Sequence, residues 1–214
     1  MKILCVGYRE WAIQIYKNLN LKKKHKIYLH FSKSGLSKKI NKILPDMILF
    51  YGWSWKIKKN IYTKFKSFML HPSPLPKYRG GSPIQNQIIR GEKNSAVTIF
   101  EINEIIDGGD IYFQKTISLD GSLSQIFDRI IEKGIEGTIK IINSKNIKIK
   151  KQNHSKATFF KRRKPEESEI TISEIKKKSA KYLYNKIRML DDPYPNAFIR
   201  LKKKKLIIKK YLIK

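Results

Sequence analysis

The sequence predicts an α/β fold: a Rossmann-like, mostly parallel sheet flanked by helices, followed by a small C-terminal helix and β-hairpin. Three observations carry this expectation. Over the first hundred residues, short apolar runs alternate with longer amphipathic stretches, the pattern of strands joined by crossover helices. Directly after the fourth apolar run, three prolines and then two glycines interrupt regular structure in HPSPLPKYRGG (71–81). After residue 144 the chain becomes lysine-rich and its remaining apolar runs are too few to form a core of their own.

The elements follow in order. Runs 2–6, 26–30, 46–50 and 67–70 read as buried strands, stretches 10–20 and 36–43 as amphipathic helices, and a short helix follows Trp55. Gly7 closes the first strand, but the second and third glycines of a dinucleotide fingerprint are missing. In the 71–81 loop each proline fixes φ and removes an N–H, so the backbone is irregular there. Ligands of open α/β sheets gather at such loops beyond strand ends. Ser82-Pro83 reads as an N-cap followed by proline at the first helical position, opening a helix from Pro83 to about Arg90 that Gly91 ends. Strands at 96–102 and 111–117 bracket the acidic turn EINEIIDGGD. Ser122-x-x-Gln125 is a capping box, and it starts a long helix with apolar positions Ile126, Phe127, Ile130, Ile131 and Ile135. A linker over 145–164 leads to a helix over 172–190, the turn DDPYP, and two strand-like runs, 197–201 and 206–213, joined by lysines. Residues 1–150 are therefore assigned to a catalytic domain, and 151–214 to a linker, helix and hairpin that pack on it.

Composition narrows the class. With 214 residues and 41% apolar content, the chain holds one well-buried domain and a small appendage. No apolar run approaches the roughly 18 residues of a membrane span, and no cleavable small-residue site follows MKILCVGYRE, so a cytoplasmic protein is expected. The one cysteine, Cys5, lies inside the first apolar run, which excludes a disulfide framework and a cysteine-based metal site. A net charge of +30 invites a nucleic-acid reading. Yet the lysines are spread through nearly every segment and outnumber the arginines, so most of the charge reads as a solvated coat. The runs KRRK (161–164) and KKKK (202–205) stay open as phosphate contacts.

Among the four histidines, His25, His30 and His154 read as structural or surface residues. His71 differs, because it follows a buried strand and begins the proline-rich loop, at the mouth of the sheet. An imidazole there can take a proton from an attacking amine and return it to a leaving group near neutral pH. Its orienting carboxylate has four candidates in the acidic turn: Glu101, Glu104, Asp107 and Asp110. Asp107 stands out because Gly108-Gly109 lets the backbone turn tightly behind it.

The segments HPSPLPKYRGGSPIQ (71–85), SAVTIF (95–100) and IDGGDI (106–111), continued by RRKPEESEI (162–170) and RMLDDPYPNAFI (188–199), closely resemble the formyltransferases that use 10-formyltetrahydrofolate. That family includes glycinamide ribonucleotide, methionyl-tRNA and nucleotide-sugar enzymes. The resemblance implies that His71 and Asp107 are the catalytic pair of a direct, metal-free acyl transfer from folate to an amine. It places the folate cosubstrate against Trp53, Ser54, Trp55, Ile102, Glu104 and Ile106, and the acceptor against Ser73, Lys77, Tyr78, Arg79 and Gln85. There is one departure. The family has asparagine two residues before the histidine, where its amide stabilises the oxyanion, and this chain has Met69, whose thioether cannot donate a hydrogen bond.

The tail bears on the acceptor. About 50 residues after RRKPEESEI are too few for the barrel that methionyl-tRNA members carry, and glycinamide ribonucleotide members lack that segment and DDPYPNAF. Small members with both look like N-formyltransferases of nucleotide-linked amino sugars, including the 4-amino-4,6-dideoxy sugars of polysaccharide biosynthesis. The expected partner is thus a small nucleotide sugar, with no membrane role. Charged tRNA is the less favoured acceptor, a binding homologue without activity is a further alternative because of Met69, and a homodimer is the expected assembly. Tyr194 and Asn196 read as formers of the turn around Pro193 and Pro195 rather than as sugar contacts.

Overall fold

The computed structural model describes residues 1–19, 24–144 and 146–209; the expected elements reach past these bounds at residues 20, 145 and 210–213. In chain order, β1 (Lys2–Val6), α1 (Glu10–Asn18), β2 (Lys26–His30), α2 (Leu36–Ile43), β3 (Met47–Tyr51), α3 (Lys59–Tyr62) and β4 (Lys66–His71) alternate as expected. Then come β5 (Arg79–Gly80), α4 (Pro83–Ile89), β6 (Asn94–Glu101), β7 (Ile111–Ser118) and α5 (Leu123–Asn143). The central sheet has the order β2-β1-β3-β4-β6-β7. Its first four strands are parallel, and β6 and β7 are antiparallel.

Alternation along the strands builds a core on each face. Ile3, Cys5, Leu49 and Tyr51 point toward α1 and α5, while Leu4, Val6, Ile48 and Phe50 meet Leu36, Ile40 and Ile43 of α2. Strands covered on both faces read as unbroken apolar runs, which is why β1 and β3 were legible. The capping box at Ser122 forms as expected, with Gln125 N–H donating to Ser122 Oγ at 3.3 Å and Ser122 N–H to Gln125 Oε1 at 2.9 Å.

Two expectations need correction. Ser82 does not cap α4: its backbone is left-handed at φ 50°, and its hydroxyl accepts from Arg163 N–H at 3.1 Å. The helix expected over 172–190 is two, α6 (Ile172–Lys177) and α7 (Ala180–Arg188). Ser179 causes the break, because its hydroxyl takes the Tyr182 N–H and so caps a new helix. Within the linker, β8 (Phe159–Phe160) pairs in parallel with β5, returning the chain to the proline-rich loop. The tail ends in the hairpin β9 (Phe198–Leu201) and β10 (Lys204–Ile207), and Arg188 ties it to the main domain by donating to Leu119 O at 2.7 Å.

Candidate active site

Strand β4 ends at His71, where the parallel and antiparallel parts of the sheet meet. His71 Nε2 lies 2.7 Å from the carbonyl oxygen of Tyr78. A carbonyl only accepts, so Nε2 carries the hydrogen and Nδ1 of the neutral ring holds the lone pair. Nδ1 faces Asp107 Oδ2 at 3.6 Å, with the two side chains 7% and 9% exposed. Two acceptors do not bond, but once Nδ1 takes a proton the carboxylate becomes an ion-pair partner in a site from which most water is excluded. The pair is arranged to receive a proton at Nδ1 and hold it.

Asp107 reaches this position by a detour. Because β6 runs antiparallel to β4, with Thr98 opposite His71 and Glu101 opposite Phe68, the segment 102–110 must double back along the strands. Asp107 takes φ 50°, a left-handed conformation that Asp tolerates better than most residues. Its Oδ2 accepts the Gly80 N–H at 2.8 Å. Gly109 is required here, since a Cβ on it would overlap the Glu101 carbonyl oxygen. Of the other acids of the turn, Glu101 accepts from the Tyr112 hydroxyl at 2.6 Å, Glu104 is exposed, and Asp110 does not line the cavity described below.

The proline-rich loop is rigid because its carbonyls are held. Pro72 O accepts from Gln87 Nε2 at 3.0 Å, Ser73 O from Thr98 Oγ1 at 2.6 Å, and Leu75 O from Gln114 Nε2 at 3.0 Å. Four of the five expected acceptor contacts do not line the cavity. Ser73 is fully buried and donates to Lys77 O, and the Tyr78 hydroxyl donates to Glu92 at 2.7 Å. Arg79 is 1% exposed and turns away from the cavity toward Gln152 and His154. Lys77 is exposed and does not line the cavity.

A cavity of about 300 Å³ joins His71 and Asp107 to Met69, Gln85, Trp53 and Ser54. One wall is a stack of three rings: Trp11 lies 6.5 Å from Phe127 at 16°, and Phe127 lies 6.1 Å from Tyr194 at 13°. The Arg9 guanidinium stands 5.7 Å from the Tyr194 ring centre, and Arg162, Arg163 and Lys164 add three more cations. Against these four, Asp107 is the one carboxylate on the wall among the described residues, so the cavity favours an anionic guest. Gln85 is 4% exposed, and its Nε2 has no hydrogen-bond partner. It sits near enough to favour an ionised Tyr194, though without forming a hydrogen bond. Burial nonetheless pushes the Tyr194 phenol up, against the opposing charge of Arg9 and the amide of Gln85.

Arg9, Trp11 and Phe127 escaped the sequence reading. The available signal was the place of Arg9 and Trp11 just past the end of β1, where open α/β sheets put ligand contacts. Three cations of the KRRK run left open above, Arg162, Arg163 and Lys164, reach the cavity wall, as does Tyr194.

Around the expected folate residues, Tyr8, Trp53 and Trp55 form a cluster, with ring centres 4.8 Å apart for Tyr8 and Trp55 and 4.7 Å for the two tryptophans. Burial raises the Tyr8 phenol, but its hydrogen bond to Ser54 and the charges of Arg9 and Arg162 bring it below the usual range. Ile102 packs in one apolar cluster with Trp53 and Met69, while Ile106 is 68% exposed. An aromatic wall continuous with the His71 cavity fits a flat heteroaromatic group such as a pterin. Among the described residues no three His, Cys, Asp or Glu side chains are grouped to hold a metal, and no helix is long and apolar enough to cross a membrane.

Comparison with known proteins gives a consistent result. A family model described as formyl transferase matches residues 22–142, and one described as methionyl-tRNA formyltransferase, C-terminal domain, matches residues 165–211. The methionyl-tRNA formyltransferase of Thermotoga maritima is 33% identical over 168 residues, covering 75% of this chain and 52% of that protein. That of a Hydrogenobaculum species is 33% identical over 188 residues, covering 85% and 58%. The chain thus spans about half the length of the curated relatives it matches. A solved methionyl-tRNA formyltransferase from Clostridium thermocellum superposes with a TM-score of 0.89 at 34% identity, covering 100% of this chain and 94% of that one. A 4-N formyltransferase from Francisella tularensis shares the fold, with a TM-score of 0.77 at 19% identity and coverage of 100% and 98%.

Proposed function

Because the chain belongs to the formyltransferase family of folate-dependent one-carbon transferases, we propose that it moves a formyl group from 10-formyltetrahydrofolate to the amine of a nucleotide-linked amino sugar. When bound, the folate supplies the formyl carbon that the amine takes. Trp53, Ser54 and Trp55, with the turn of Ile102, Glu104 and Ile106, are the residues that would hold it. His71 takes the amine's proton at Nδ1 while its Nε2–H stays on Tyr78 O. Asp107 then faces an imidazolium across 3.6 Å and stabilises it until the proton is returned to the departing nitrogen.

The observation that carries the choice of acceptor is the wall shared with the dyad: four cations for phosphate, three stacked rings for a flat or apolar group, and the unpartnered Gln85 amide for an acceptor atom. The test is to incubate the protein with 10-formyltetrahydrofolate and nucleotide-linked 3- and 4-amino sugars, then look by mass spectrometry for product carrying one added formyl group. His71→Asn should lower the rate by about a hundredfold or more.

A second reading has aminoacylated tRNA as acceptor, favoured by the methionyl-tRNA formyltransferases of similar sequence. Formylation of charged initiator tRNA, with every amino sugar left unmodified, would establish it instead.

A further inference from the structure

We propose that Arg79 and Gln152 are positioning residues, which hold the turn carrying Asp107 at the distance from His71 that proton transfer needs. This rests on the reading of His71 and Asp107 as a proton-handling pair.

Three consecutive residues serve the pair. Tyr78 gives its carbonyl to His71 Nε2, and Gly80 gives its N–H to Asp107 Oδ2. Between them, the Arg79 side chain runs beneath the turn, with Nη1 so close to Gly108 that a Cβ there would stand 3.3 Å away. Nη2 donates to Gln152 Oε1 at 2.6 Å and lies 3.1 Å from His154 Nδ1, which must therefore accept. Gln152 is also buried, and its Nε2 donates to Asp107 O at 2.9 Å and Gly109 O at 2.7 Å.

The chemistry of the guanidinium explains the arrangement. It has only donors, so it fixes which end of the Gln152 amide is oxygen and thereby aims both amide hydrogens at the two turn carbonyls. Among the described residues no carboxylate forms an ion pair with Arg79, and its Nε has no hydrogen-bond partner. Burial pushes its pKa down, opposed only by the charge of Asp107. A buried cation with neutral partners is costly. An apolar side chain would fill the same space at lower cost but would leave the Gln152 amide able to turn over. The strut also explains why the supposed linker belongs to the site, since Arg79 N–H donates to Thr158 O at 2.8 Å and Gln152 lies on that same segment.

Gln152→Glu tests this in the full chain. Glutamate still accepts from Arg79 but offers no hydrogen to the turn. With 10-formyltetrahydrofolate and a nucleotide-linked 4-amino-4,6-dideoxy sugar, kcat should fall about a hundredfold with KM for the folate unchanged, the signature of a misplaced catalytic group. Amide hydrogen exchange should quicken at Gly80, whose N–H is held by Asp107, but not at Gly81, whose N–H is held by Phe160 O at 2.7 Å. In Arg79→Ala, added guanidinium chloride at non-denaturing concentration should restore part of the lost kcat. Wild-type kcat in Gln152→Glu, or a loss of kcat with Gly80 still protected, would overturn the proposal. If His71→Asn keeps full activity the functional reading fails instead, and Gly80 exchange alone then decides whether Gln152 fixes the turn.

Discussion

Met69 pairs across the sheet with Phe50 and Phe100 and reaches the cavity beside His71. Its thioether cannot donate, so negative charge developing in the cavity would fall to the His71 imidazolium and the Gln85 amide. Met69→Asn is therefore expected to raise kcat about a hundredfold, the worth of one oxyanion donor, read in the same mass-spectrometric assay. It should also cost about 2 kcal/mol of stability in thermal unfolding, because the shorter side chain leaves Leu75, Phe100 and Ile111 underpacked. A drop in kcat would instead mean that the site is organised around the thioether. His71 could be picked from the chain because a histidine between a buried strand and a proline-rich loop has few places to go. Asp107 stood out among the acids of its turn by the two glycines behind it, but its pairing with His71 rested on the family resemblance, and the burial of Arg79 was invisible, since it depends on Gln152 and His154, 73 and 75 positions away.

Helix α5 shows how glycine inside an element serves packing. A Cβ on Gly134 would overlap Ile15 of α1 and press on Leu70 of β4. Gly134→Ala should thus destabilise the protein by about 1–3 kcal/mol despite its better helix propensity, as a lower urea midpoint would report. The tail depends on a different contact: Lys186, 4% exposed, donates to Glu174 at 2.7 and 2.8 Å and to Glu169 O at 2.6 Å. Burial raises the Glu174 carboxyl, but hydrogen bonds from Lys186 and Thr171 outweigh it and leave the group below its ordinary 4.5. A carboxyl that ionises more readily when folded stabilises fully above that ordinary value and loses its contribution as pH falls through the depressed one. Glu174→Gln, which leaves Lys186 buried without its counter-charge, is expected to cost about 3 kcal/mol at neutral pH and to flatten the acid limb of a stability curve measured by chemical denaturation.

Taken as one body, the protein carries a net charge of +30, and the cations at the cavity set its local field within a wider positive one. Long-range attraction of an anionic acceptor is screened by salt, whereas the buried dyad is not. Raising ionic strength should increase KM for a nucleotide sugar while kcat stays constant. A steep linear fall of log affinity with log salt for tRNA would mark counterion release over many phosphates and favour the second reading.

Periodicity and turn chemistry were enough to place most strands, several helices and the capping box, because those signals are local: apolar spacing, proline geometry, a side chain bonding its own backbone three residues on. Family membership was legible too, in ordered motifs spread from residue 71 to 199. What needed the folded chain was every relation between distant segments. The detour that brings Asp107 to His71 follows from β6 running antiparallel to β4, the return of the lysine-rich segment follows from β5 pairing with β8, and the stack of Trp11, Phe127 and Tyr194 draws its rings from α1, α5 and the turn before β9. Local propensity carries no information about such contacts, whose free energy exists only once the segments meet.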